Sequence, residues 1–384
     1  MKKTSIKVSA FILCVMCASG TALFAQTAKS FASAKPIIVF DLGESDSRYY
    51  RIPAITLASD GSLVALADKR GDSSSDLPNI ISVVAKRSLD GGLTWSEAVT
   101  IAQGDSIAGL TFGDPAVVCD SKSGELIAVF SGDTGFFYSN KAKPTAFYVS
   151  KSSDNGITWT APRSITDMLY QPEWEGAFCA SGRLTQTSDG RILFAANTRT
   201  SPERKFKDIY EFVCASSDGG DNWEVLNAES RIPSDGLGNE SKIVELSDGT
   251  LLLSMRNPGN RRFSYSKDRG RTWTQEESVS ELIEPDCNGD IIRAKDAGGN
   301  EVLLQSIPAD PEERRNVSVY VSRDEGKTWS EKYLLTTKDS GYSSLIDLGN
   351  GLIGCLYEEG SWDKSIQNPP GYRIVFKTFT LPSL

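Results

Sequence analysis

The sequence predicts an all-β chain folded as a six-bladed β-propeller of four-stranded antiparallel blades. Three observations carry this: a long hairpin motif that occurs five times, a short glycine turn that occurs six times between its copies, and β-branched or aromatic runs that flank both. The long motif reads S-x-D-x-G-x-T-W, at Ser88–Trp95, Ser152–Trp159, Ser216–Trp223, Ser266–Trp273 and Ser322–Trp329, with Asn222 in the Thr place of the third copy. Asp and Gly supply a turn with one residue at positive φ, Ser and Thr can bond the local backbone, and Trp offers an apolar face to bury. The motif lacks the ladder of acidic residues and the distal Glu of an EF-hand, so a structural hairpin is expected rather than a calcium loop.

The short turns centre on Gly61, Gly124, Gly190, Gly249, Gly299 and Gly351. Their spacing, roughly 50 to 65 residues, lies in the range of propellers and arrays. Runs ahead of the long motif, such as Ile80–Val84, Ala146–Val149 and Val317–Val321, read as strands. Each repeat is therefore strand, short turn, strand, connection, strand, long hairpin, strand. The sixth repeat lacks a long motif because the chain closes with Tyr372–Phe379, and the early run Ile37–Phe40 is expected to pair with this last blade and cover its edge.

Residues 1–25 carry Lys2, Lys3 and Lys7 ahead of an apolar run from Val8 to Phe24, the pattern of a secretory signal peptide with cleavage near Ala22 or Ala25. The propeller then spans 26–384, leaving no room for an appended lectin domain, and the mature chain is expected to be an exported monomer without a transmembrane segment. The formal charge of −9, without a basic tract, argues against nucleic-acid partners. Cys119, Cys179, Cys214, Cys287 and Cys355 remain after the leader, too scattered for a disulfide framework and expected to pack as small apolar groups. The chain has no histidine, which excludes Ser-His-Asp and Cys-His catalysis, and it has no phosphate loop. No metal or other cofactor is implied, so any chemistry must come from carboxylates, tyrosine, lysine or arginine.

In a four-stranded antiparallel blade the short turns and long hairpins share one face. The opposite face carries residues about one strand, roughly 9 residues, from a short turn. Arg51, Glu240 and Tyr342 precede their turns by about this interval, Arg70 and Arg256 follow theirs by about the same, and Asp76 and Arg314 fall in the middle connections. All seven reach one face, and first strands line the central channel, where side chains from different blades can meet. Taken singly, a strand-end Arg is a solvated charge, a lone Tyr is core with a wet hydroxyl, and a lone carboxylate caps a turn. Their convergence is the signal.

On these residues the chain resembles the bacterial exo-α-sialidases (neuraminidases), the Asp-box family of glycoside hydrolases. Arg51-Ile52-Pro53 is similar to that family's Arg-Ile-Pro signature, the five long motifs to its Asp-boxes, Asn239-Glu240 through Arg256 to its Glu-to-Arg segment, and Gly341-Tyr342-Ser343-Ser344-Leu345 to its nucleophile segment. The likeness covers essentially everything after the leader. It implies release of terminal sialic acid from glycoproteins, glycolipids and oligosaccharides with retention. Arg51, Arg256 and Arg314 would grip the substrate carboxylate through charge-assisted bonds. Tyr342 would be the nucleophile, a neutral phenol avoiding the repulsion a carboxylate would meet. Glu240 would be its base and Asp76 the acid, then base, at the leaving oxygen. Arg70 would assist substrate binding, and Asp114 with the Trp174–Phe178 stretch would line the pocket for the N-acyl and glycerol arms. Arg315 competes with Arg314 and Asp72 with Asp76; the likeness favours Arg314 and Asp76. A non-catalytic sialic-acid-binding propeller and a trans-sialidase are the rival readings. The first needs the arginines but no nucleophile, base and acid in one ring.

Overall fold

A computed structural model describes residues 35–71, 73–203, 208–233, 240–361 and 371–383. The leader, Asp72 and Asn239 lie outside the described residues. The fold is a six-bladed β-propeller of antiparallel blades. The first blade shows the pattern, its strands Tyr50–Leu57, Leu63–Lys69, Ser82–Ser88 and Val99–Ala102 pairing in sequence order from the channel outward. Ring closure follows the sequence expectation. Ile37–Phe40 pairs with Gly371–Thr380, Ile37 opposite Phe376, so the last blade takes its outer strand from the start of the chain.

The core is six apolar layers, one between each pair of neighbouring blades. Because each sheet is covered on both faces, its middle strands read as nearly continuous apolar runs, with period 2 deciding only which neighbour a residue meets. In Leu63-Val64-Ala65-Leu66, for example, Leu63 and Ala65 pack toward the sixth blade while Val64 and Leu66 pack toward the second. Cys179, Cys214 and Cys355 are buried in these layers, Cys287 is buried against Ile52 and Tyr342, and these four and Cys119 are all free thiols.

The long motifs are self-contained hairpins. Asp90 Oδ1 accepts from the Leu93 and Thr94 amides at 3.0 and 2.9 Å, Oδ2 takes the Thr94 hydroxyl at 2.6 Å, and Ser88 Oγ accepts the Gly92 amide at 2.8 Å. In the third copy Asn222 Nδ2 donates to Asp218 Oδ2 at 2.7 Å, which is why an amide serves in the threonine's place. The Thr bonds hold the Asp154 and Asp268 carboxyls down at about 2, so these hairpins keep their charge in acid. Each Asp is consumed by its own turn. Gly92, at φ 95°, also lets the hairpin approach the last blade, since a Cβ there would drive into the Phe376 ring. Gly92→Ala combines an unfavourable φ with overpacking and is expected to cost about 2–4 kcal/mol, measured as a fall in the urea midpoint.

The structure departs from six uniform blades in two sheets, which have five strands. The inner edge of the third blade is broken into Gly176–Cys179 and Thr185–Gln186, both paired with Ile192–Arg199. Between them Gly182–Arg183 crosses to pair parallel with the inner strand of the second blade, Gly182 opposite Ala116. Gly182 sits at φ 101°, a conformation open to glycine, and this crossing is not encoded in any turn spacing.

Candidate active site

The innermost strands of three blades reach the site end with a bulge, and each bulge aims a polar side chain into the channel. In the first blade the register shifts between Arg51 and Ala54, and Ile52 takes φ 59°. A β-branched residue in that region is strained, and Pro53 beside it cannot donate to the ladder. Gly113-Asp114-Pro115 repeats the device in the second blade, with Asp114 at φ 57° and the shift between Gly113 and Ala116. In the sixth blade the shift falls between Ser340 and Ser343 and turns Tyr342 inward.

These side chains meet in one cavity of about 310 Å³, lined by Arg51, Asp76, Asp114, Glu240, Arg256, Arg314 and Tyr342 among others. Arg256 Nη1 donates both to Glu240 Oε2 at 2.5 Å and to the Tyr342 hydroxyl at 3.1 Å. One nitrogen thus holds the carboxylate and the phenol side by side. The Tyr342 ring rests on Ile52 and Cys287 and is flanked by the guanidiniums of Arg51 and Arg314, 5.0 and 5.7 Å from its centroid. Burial pushes its hydroxyl well above the usual phenol range and Glu240 adds to this, against the pull of Arg256, Arg314 and Arg51. The phenol is therefore neutral at rest and needs a base to become a nucleophile.

The three arginines are each tied down on the side away from the cavity. Arg51 grips Glu358 bidentately through Nε and Nη2 at 2.9 and 3.1 Å. Glu358 also accepts the Ile52 and Tyr342 amides at 2.9 and 3.0 Å. Arg256 Nε donates to Asp286 Oδ1 at 2.7 Å, and Arg314 Nη2 donates to the Asp286 carbonyl at 3.0 Å. Asp286 itself stands at φ 55° and so fixes two arginines from a single strained residue. Among the described residues this leaves Arg51 Nη1, Arg256 Nη2, and Arg314 Nε and Nη1 without protein acceptors, a converging set of donors suited to a planar anion.

Arg70 does not line the cavity. It is buried behind it, clamping Asp68 Oδ2 at 2.8 Å and Asp76 Oδ1 at 2.7 Å. The Asp76 side chain is 78% exposed on its other side, the most open of the polar groups here. Burial of its carboxyl acts upward, but Arg70, Arg51 and Arg314 outweigh it and hold Asp76 below the usual carboxylate range. Asp114 behaves oppositely. Burial, then Asp68 and Asp76, push it well above that range, which favours the protonated form that can donate a hydrogen bond.

Of the expected residues, Arg51, Asp76, Asp114, Glu240, Arg256, Arg314 and Tyr342 come together. Arg315 turns away onto Asp310 at 2.7 Å and Glu313 at 3.1 Å. Within the Trp174–Phe178 stretch only Phe178 reaches the cavity. Trp174 is wholly buried in the layer between the second and third blades, against Phe212 and Tyr170. The apolar wall is built instead by Phe136, Phe137, Phe178, Leu77 and Ile209, opposite the arginines. Sequence reasoning missed Glu358, Asp286, Asp68 and the Phe136–Phe137 pair. The one signal available was a charge inside an apolar run, as Asp68 in Leu63–Lys69 and Glu358 after Gly354-Cys355-Leu356-Tyr357.

A propeller whose hairpins carry this motif and whose channel mouth gathers three arginines, a tyrosine and three carboxyl groups is of the BNR-repeat class. The chain belongs to the family described as BNR repeat-like domain, matched over residues 61–355. It is 31% identical over 344 residues to a sialidase of Bacteroides fragilis, covering 82% of this chain and 61% of that protein. It is 32% identical over 333 residues to a sialidase of Micromonospora viridifaciens, covering 81% and 50%. The chain thus spans about three fifths of the first relative and half of the second. Among solved structures, a Hadza microbial sialidase superposes with a TM-score of 0.80 at 28% identity, covering 90% of this chain and 68% of that one. An intramolecular trans-sialidase from Ruminococcus gnavus shares the fold with a TM-score of 0.74 at 17% identity.

Proposed function

We propose that the protein is a retaining exo-α-sialidase acting on terminal sialic acids of glycoconjugates through a tyrosyl-enzyme intermediate. The observation that carries the reading is Arg256 Nη1 holding Glu240 and Tyr342 together beneath three converging guanidiniums. The sugar's carboxylate binds Arg51, Arg256 and Arg314. Tyr342 Oη attacks the anomeric carbon while Glu240 takes the phenolic proton, and Asp76 gives a proton to the departing glycosidic oxygen. Asp76 then takes a proton from water as the water displaces the tyrosyl group, and Glu240 returns its proton to Tyr342.

Asp76 is exposed where a leaving group must depart, as an acid at that oxygen has to be. Its charge reflects Arg70, then Arg51 and Arg314, around it. A bound carboxylate offsets Arg51 and Arg314, though not Arg70 behind the cavity, and so moves Asp76 toward accepting a proton once substrate is seated. The sign follows: turnover is favoured at mildly acidic pH and falls as pH rises and the acid is left ionised. Across the cavity the Phe136–Phe137–Phe178 wall suits the methyl of an N-acyl arm, Asp114 serves a ring hydroxyl, and Arg70 assists from behind by holding Asp76 in place. The leader 1–25 would export the chain, which would act as a monomer.

The test is a fluorogenic sialoside with wild-type protein, with the product's anomeric form followed by proton NMR. Sialic acid appearing first as the α anomer is the expected result. Release of the β anomer first would exclude retention. Sialoside binding without release at any pH would make the protein a lectin.

A further inference from the structure

We propose that Asp68 is a positioning residue for the leaving-group acid: a buried counter-charge to Arg70 that lets Asp76 hold its proton once substrate is seated. The inference deepens the reading of Asp76 as the acid and rests on it. Asp68 and Arg70 are both buried, 0% and 1% exposed, and neither lines the cavity. Their guanidinium and carboxylate are nonetheless one contact away from the acid. Arg70 Nε and Nη2 donate to Asp68 Oδ2 at 3.1 and 2.8 Å, while Nη1 donates to Asp76 Oδ1 and to the Ser74 carbonyl, each at 2.7 Å. One cation is thus divided between two carboxylates. Asp68 Oδ1 in turn accepts the Asp114 amide at 3.0 Å, at the bulge of the second blade. A single buried carboxylate therefore fixes the arginine that grips Asp76 and the backbone that carries Asp114.

The cations around Asp76 are Arg70, Arg51 and Arg314. A substrate carboxylate offsets the last two from within the cavity, but the charge of Arg70 stays in place behind it. Paired with Asp76 alone, that arginine would hold the acid ionised even in the substrate complex. With Asp68 on its other side, Arg70 is half of an ion pair, and Asp76 meets a dipole in place of a full cation. The groups facing Asp68 itself are Arg70, Asp76 and Asp114, and Asp114 favours its neutral form. Burial pushes the Asp68 carboxyl up to about 6, against the pull of Arg70, so Asp68 is ionised above that pH. The counter-charge is therefore present on the alkaline side, where Asp76 is short of protons, and is lost only in acid, where protons are plentiful.

Asp68→Asn removes the charge and keeps one acceptor; Asp68→Ser removes the charge and leaves room for water against Arg70. The measurement is the pH profile of kcat on a fluorogenic sialoside, whose limbs report groups in the substrate complex, with thermal melting of each variant. Both variants are expected to move the alkaline limb down by about one pH unit, which lowers kcat about tenfold on that limb and changes it little on the acid side. Arg70→Gln, which removes the shared cation, is expected to move the same limb upward. A loss of kcat that is uniform across pH, with the limb of the Asp68 variants in place, would reduce Asp68 to a strut and overturn the proposal. A limb that moves down in Arg70→Gln would overturn it too. If Asp68→Asn does not fold, Asp68→Ser carries the decision, and if neither folds, an unmoved limb in Arg70→Gln overturns the proposal and an upward one supports it. A wild type that turns over no sialoside removes the parent reading and this inference with it, whereas an active wild type with unshifted variants removes only this one.

Discussion

Tyr342→Phe is expected to lower kcat/KM on sialosides by about a thousandfold or more, roughly 4 kcal/mol of transition-state stabilisation, while the protein stays folded. The substitution deletes one oxygen. That oxygen receives a single hydrogen bond, from Arg256 Nη1, and the same nitrogen keeps its bond to Glu240 when the hydroxyl is gone. The ring remains for Ile52 and Cys287 to pack against and for Arg51 and Arg314 to flank. The stability change is therefore that of one hydrogen bond, about 1 kcal/mol, and the melting temperature should move by only a few degrees. Sialic acid binding should survive, because in the proposed reading the carboxylate is held by guanidinium nitrogens that do not involve the phenol. Kinetics, a melt and a product-binding titration on one preparation separate these quantities. A Tyr342→Phe protein with wild-type kcat would end the covalent reading.

How much of this was legible in the sequence depended on how local the physics was. The six repeats could be read because each hairpin is closed by its own residues: Asp90, Ser88 and Thr94 satisfy one another within a single turn. The site could be located because a strand of fixed rise converts distance from a turn into height in the channel, which put Arg51, Glu240 and Tyr342 at one level. What failed was everything that depends on contact between blades. Glu358 stands beside Glu359, and only the packing of the sixth blade against the first chooses between them, since Glu358 faces Arg51 while Glu359 accepts from Lys338 at 2.8 Å. Asp286 lies in a connection with no turn motif, and its role appears only when Arg256 and Arg314 are both in place. The whole Trp174–Phe178 stretch reads as pocket lining, but Trp174 lies ahead of the strand Gly176–Cys179 and its ring is taken by the core, which leaves Phe178 at the cavity. The crossing at Gly182 is invisible for the same reason: one glycine in a Ser-Gly-Arg stretch says nothing of the second-blade strand it pairs with.

Glu358→Gln should produce the second large effect, on stability and catalysis together. The Glu358 carboxylate is wholly buried and receives four donors: two from Arg51, one from the Ile52 amide and one from the Tyr342 amide. Glutamine has nearly the same shape, but only one of its two terminal atoms can accept. Two of the four donors must then face an NH2 group, and Arg51, whose side chain is 11% exposed, loses its counter-charge. Breaking a buried pair in this way costs about 3–5 kcal/mol, which for a domain of this size is a fall of roughly 6–15 °C in melting temperature. The two amides belong to the bulges that aim Arg51 and Tyr342, so the same substitution frees both the proposed carboxylate-binding residue and the proposed nucleophile. A displacement near 1 Å at such positions costs about a hundredfold in rate, and kcat/KM should fall by about that factor even well below the variant's melting temperature. The comparison that isolates this is kinetics at a temperature where both proteins are fully folded by circular dichroism. Near-normal turnover in a protein that has lost its expected stability would mean that the bulges hold their shape without the carboxylate. Strain at Ile52, rather than the hydrogen bonds of Glu358, would then be what sets the geometry of the site.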